Sequence, residues 1–161
     1  MPYAEDAGRL IALAMRLEAD ALVALAQGDA EAAREVQRDL ETVFAGLAHR
    51  GVAYLPHALA ARFDLDGAAY AALTVALMPA HAPERLLALT GALDRVGQAT
   101  PTLALVAALV APPQARAAAQ EALRQGPLFT HALVRETPEG ALAPSPAVLE
   151  LLGLAPAPPT G

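Results

Sequence analysis

The chain contains no cysteine, no tryptophan, no lysine and no asparagine, and its only serine is Ser145. Each absence removes a chemistry. Without cysteine there is no disulfide framework, no thiolate nucleophile and no cysteine-ligated zinc, a composition that any compartment permits and that fits the cytoplasm. Without lysine there is no Schiff base and no P-loop, whose lysine must reach the nucleotide phosphates. Ser145 stands between Pro144 and Pro146, so the small-residue nucleophile elbow of hydrolases is missing. The glycines are scattered singly and form no phosphate-cradling loop. Positive charge is scarce as well. Eleven basic residues against seventeen acidic ones leave a formal net charge of −6, opposite in sign to the footprint of a nucleic-acid or anionic-lipid binder.

What is abundant is apolar surface. With 55% apolar and 17% charged residues the chain is not disordered over most of its length. At 161 residues it can bury roughly two-thirds of its unfolded surface, enough for a core without metals or disulfides. The longest uncharged apolar stretch, Thr102 to Ala111, falls far short of the roughly 20 residues a membrane-spanning helix needs. Glu5 and Asp6 lie where a secretory signal would carry positive charge. The expectation is a soluble, cytoplasmic protein with no membrane partner.

Periodicity predicts a long helix over 5–27, with Leu10, Leu13, Ala14, Leu17, Ala21, Ala24 and Leu25 near helical spacing and Gly28 as its stop. Asp29 caps a second helix to about His49, whose stripe is Val36, Leu40, Val43, Phe44 and Leu47, and Gly51 ends it. Residues 1–51 thus read as an antiparallel helical hairpin. From 52 to 153 the pattern changes to short helices punctuated by proline. Pro56 suits a first helical turn, with Leu55, Leu59 and Phe63 on one face. Asp64 or Asp66 caps a helix over 67–78 whose core candidates are Tyr70, Leu73, Ala76 and Leu77, and Pro79 and Pro83 frame a loop. A helix to Arg95 follows, with Leu86, Leu87, Leu89, Ala92 and Leu93 as its apolar positions. Thr100-Pro101 signals the start of a helix to Ala111, apolar all round and so expected to be the most buried. Pro113 opens another to Gln125, closed by Gly126-Pro127. The strand signal is at 132–136 and 141–143 around the turn Thr137-Pro138-Glu139-Gly140, and Ser145-Pro146 caps a last helix. Residues 154–161 have the composition of a proline-rich linker.

No constellation of reactive side chains stands out. His49, His57, His81 and His131 lie in separate segments without metal-ligand spacing, and read as caps or surface residues. Asp64-Leu65-Asp66-Gly67 lacks the third ligand and the later glutamate of a calcium loop and reads as helix capping. Glu18 and Asp20 cannot face each other on one helix and read as solvated charges. The order of helices followed by a two-stranded hairpin is that of a winged helix. The helix in the reading position, however, would offer Thr102, Leu103, Ala104, Leu105 and Val106 where base readout wants Arg, Lys, Asn or Gln. Only Arg135 and Arg124 lie near the wing, which disfavours DNA as a partner.

Residues 54–153 resemble a known region. Tyr54-Leu55, Leu59-Ala60-Ala61-Arg62-Phe63-Asp64-Leu65, Leu73 to Pro79, Arg85-Leu86, Thr100 to Val106, Gly126-Pro127-Leu128, Leu133-Val134 and Val148 to Gly153 follow one another. This run is similar to the variant winged-helix region that precedes the ATPase core in a family of bacterial AAA-type ATPases, including those encoded with contractile injection systems. The Arg-Phe-x-Leu piece and the Pro-Thr helix start are its more specific parts. Gly67-Ala68-Ala69-Tyr70 departs from the charged stretch that commonly follows in the family. No ATPase core lies within these residues, so the family's nucleotide-binding positions have no counterpart, and ATP and Mg are implied only if a core follows Gly161.

Joined to the helical hairpin and linker read above, the resemblance implies a mainly α, non-catalytic N-terminal module whose second part is a winged-helix-like bundle with a short β-wing. It implies docking or assembly of an ATPase on a protein partner or through self-association, with no catalytic, metal or cofactor residues in this chain. Two amphipathic helices cannot bury both stripes by themselves. The candidate contact residues are therefore Leu10, Leu13, Leu17, Val36, Leu40 and Phe44. The alternatives are a dimeric winged-helix DNA-binding regulator and a small-molecule enzyme or sensor with a pocket among the histidines.

Overall fold

The computed structural model describes residues 2–93 and 100–154, with side chains from residue 7 onward. Of the expected linker over 154–161 all but Leu154, and the end of the helix at Arg95, fall outside the described residues.

Helix α1 spans Pro2–Gln27 and α2 spans Ala30–His49. The turn between them is built by two residues with complementary tasks. Gly28 takes φ +68°, a left-handed conformation that costs glycine little, and the amide of Asp29 then reaches back to the Ala24 carbonyl at 3.0 Å. The carboxylate of Asp29 accepts from the Ala32 amide at 3.0 Å, so one residue closes α1 and opens α2. The other aspartates divide the same labour. Asp64 takes the left-handed position after α3 (Leu55–Arg62), and Asp66 caps α4 (Gly67–His81) through the Ala69 amide at 2.8 Å.

Helix α4 runs through Pro79 to His81, so the expected loop between Pro79 and Pro83 shrinks to Ala82. Proline has no amide to donate and disfavours a helix interior. Here it sits in the last turn with an exposed side chain, behind an unbroken buried run from Ala71 to Met78. Ala82 donates to the Met78 carbonyl at 2.8 Å and is directly followed by α5 (Pro83–Ala92). Helix α6 (Leu103–Val110) starts later than Thr100-Pro101 suggested, because the hydroxyl that caps it is that of Thr102, accepting from Leu105 at 3.0 Å. A 3-10 turn at Pro113–Ala115 leads into α7 (Arg116–Gln125), and a one-turn α8 (Pro127–Thr130), not expected from the sequence, follows at once.

Strands β1 (Val134–Glu136) and β2 (Leu142–Pro144) pair antiparallel, with Val134 opposite Pro144 and Glu136 opposite Leu142. Ala132 is not in the first strand. It takes φ +54° and lets the Leu133 amide close α8 on the Leu128 carbonyl. The hairpin is fastened to the bundle by Leu142 donating to the Pro101 carbonyl at 2.7 Å. Helix α9 (Pro146–Leu151) is capped by Ser145, as its sequence predicts.

The architecture is mainly α, with an antiparallel two-stranded hairpin. Apolar side chains from α1 and α2 join those of α4, α5, α6, β1, β2 and α9 in one core. The most buried helix is α4 and not α6. Helix α4 touches α1, α5, α6, α8 and β2 and is covered from Ala71 to Met78, whereas the last turn of α6 surfaces at Val110. Leu87, one of the apolar positions that mark α5 in the sequence, is exposed. Among the described residues no helix is long and apolar enough to cross a membrane.

Candidate functional site

The most elaborate polar arrangement centres on Glu18, a residue whose sequence reading as a solvated charge is overturned. Its side chain is only 14% exposed. Met15, one turn earlier, and Leu22, one turn later, both pack into the core, so Glu18 lies on the inward face of α1. A buried carboxylate needs donors, and three side chains from the bundle stand around it. The Tyr54 hydroxyl, just ahead of α3, donates to Oε1 at 2.6 Å. The Tyr70 hydroxyl, from the second turn of α4, lies 2.8 Å from both Oε1 and Oε2. The Nε2 of His57 on α3 is 3.4 Å from Oε2.

Aromatic rings hold these groups in place. His57 packs against Phe44 at 4.9 Å, edge-on against Tyr54 at 4.8 Å, and beside Tyr70 at 5.6 Å between ring centroids. Phe44 belongs to α2, so the box draws on both hairpin helices as well as on α3 and α4. Burial, with the Glu18 charge added, pushes the pKa of both tyrosines well above the ordinary tyrosine range. Both hydroxyls therefore keep their protons as donors.

The chemistry open to this carboxylate is narrow. Its oxygens are already engaged by hydroxyls, and the cavity behind it, lined by Met15, Pro56, Leu73 and His81 among others, holds about 10 Å³. That is at most the room of one water. The arrangement ties the hairpin to the bundle. Asp20, the other supposed solvated charge, does similar work nearer the surface, accepting from Arg85 Nε of α5 at 2.9 Å.

The four histidines do not converge. His57 serves the Glu18 box, His131 stacks on Phe63 at 5.0 Å, His49 ends α2 in solvent, and His81 is half-buried at the end of α4. Among the described residues no three His, Asp or Glu side chains gather as metal ligands. Burial, and next the nearby Arg16, press the protonation of His81 below the ordinary histidine range.

The proposed contact residues are mostly spent inside the molecule. Leu17 and Leu40 are buried, and Leu10, Val36 and Phe44 are half-covered and pack on the core. Only Leu13, at 43%, is exposed. Leu25, at 57%, also surfaces on α1. Near the wing, Arg124 is held by Glu136 at 2.8 Å, leaving Arg135 exposed. Set against known protein families, curated proteins and solved structures, the chain finds no match.

Proposed function

We propose that the chain is a non-catalytic adaptor module that docks or assembles an AAA-type ATPase on a protein partner. The observation that carries this reading is the ordered resemblance of residues 54–153 to the winged-helix region preceding such motors. The architecture is compatible with it: short helices, then an antiparallel two-stranded hairpin, then a capped helix. The Glu18 box is compatible with it, since a carboxylate held by two hydroxyls serves to position the elements that carry them. The surface left for a partner includes Leu13 and Leu25 on α1.

A DNA-reading role draws less support. The helix that would lie in the groove, α6, buries Leu103, Leu105, Val106 and Ala107 in the core, and its neighbour Arg124 is already paired. Purification of the tagged protein from its native cells, followed by intact mass and peptide sequencing, tests the adaptor reading. The expected result is a Walker-motif ATPase in the same polypeptide or in stoichiometric complex. Recovery with neither, together with a salt-dependent shift of duplex DNA, would overturn it in favour of the DNA-binding alternative.

A further inference from the structure

A groove of about 350 Å³ runs between the first half of α1 and the turn that follows α9, sharing Met15 and His81 with the small cavity at Glu18 but not lined by Glu18 itself. Ile11, Ala12 and Met15 form one wall and Leu152 and Leu154 the other, with Gly8 opening the floor. Two nitrogen-bearing side chains interrupt this apolar lining, Arg16 and His81. Arg16 is exposed, and among the described residues no carboxylate lies within ion-pair distance of it. Two acids near it are already engaged by Arg85: Glu84 at 2.7 Å, and Asp20, one turn on along α1, at 2.9 Å. Met15 is a flexible, polarisable wall that can fit itself to an irregular guest.

We propose that this groove binds a small amphiphilic carboxylate, its apolar body between α1 and the Leu152–Leu154 turn and its carboxylate on Arg16 with His81 beside it. Size argues for a small molecule over a protein. The volume lies at the lower end of small-ligand pockets, while a stable protein interface needs on the order of 1,000 Å² of buried surface. Charge argues for an anion. A guanidinium pairs with a carboxylate through two parallel hydrogen bonds, and among the described residues of the lining Arg16 is the one cation whose charge does not depend on pH. The site is independent of the adaptor reading, because neither Leu13 nor Leu25 lines it.

Decanoate, kept below its micelle-forming concentration, is the probe, titrated into the full chain and followed by amide and imidazole NMR. The expected result is saturable one-to-one binding, with shifts confined to residues 8–16, 81 and 152–154. Decanol, of the same apolar length, should bind about tenfold more weakly, and Arg16→Gln should cost decanoate a similar factor. Ala12→Glu puts a carboxylate into the groove at an exposed helical position that favours folding, and should abolish binding. The proposal fails if decanoate shows no saturable shift, if decanol binds equally well, or if Arg16→Gln changes nothing.

Discussion

Helices α2 and α4 are both rich in apolar residues, yet they stand in opposite surroundings. Helix α2 buries one stripe, Leu40, Val43 and Leu47, and turns Glu31, Arg34, Glu35, Arg38, Asp39 and Glu41 to solvent. Helix α4 is covered on every side from Ala71 to Met78. A one-sided helix advertises its orientation through its sequence. An all-sided one advertises only that it is inside. The difference teaches where this fold keeps its cohesion: α4 is the post, and the hairpin leans on it through apolar contacts sealed by the Glu18 hydrogen bonds.

The strongest challenge to that picture is removal of the leaning part. A chain starting at Val52 would bare the α4 face that α1 covers and leave Tyr54 and Tyr70 without their acceptor. We expect loss of the cooperative thermal transition seen by circular dichroism, and a fragment that melts like the full chain would refute the dependence. Next comes the post itself. Leu73 is 1% exposed, and Leu73→Ala should cost about 3 kcal/mol in urea unfolding. Glu18→Ala should cost about 2 kcal/mol, since it orphans two buried hydroxyls, whereas Tyr70→Phe, which leaves Tyr54 bonded, should cost about half of that.

The pH dependence sharpens the same contrast. Tyr54 and Tyr70 ionise less readily in the folded state than in the unfolded chain, so their contribution is complete below about pH 10 and declines as pH rises beyond it. His81 is shifted the other way. Its contribution is complete above about pH 6.5 and is lost as pH falls below that value. Stability measured across pH should fall at both limbs, with Tyr54→Phe and Tyr70→Phe together softening the basic one and His81→Gln the acidic one. The smallest effect belongs to the outer face of α2, where Arg38→Ala should change stability by less than about 0.5 kcal/mol. A larger loss there would mean that α2 is covered by something on its charged side.

Much of this was readable from residues alone where local chemistry decides. Gly28, Asp29, Pro56, Asp66 and Ser145 end and begin helices because their backbones or side chains satisfy groups within a few residues. Readings went astray where distant neighbours decide. Pro79 looks like a stop, but the burial of the eight residues before it carries α4 past it. Glu18 looks like an ordinary helical acid, because its partners lie 36 and 52 residues away in sequence. One signal was present: Glu18 shares a face with Ala14 and Leu22, an interior address for a charge. The contact residues of the hairpin show the same limit: all but Leu13 pack on the core of their own chain, and no stripe says whether its cover is another chain or the next domain of its own.

The absence of tryptophan gives the Glu18 box an optical meaning. The chain has three tyrosines, and two of them, Tyr54 and Tyr70, have their hydroxyls on a single carboxylate at the seam between hairpin and bundle. Near-ultraviolet spectroscopy of the unlabelled molecule is thus weighted toward that seam, and its loosening can be watched without attaching a dye.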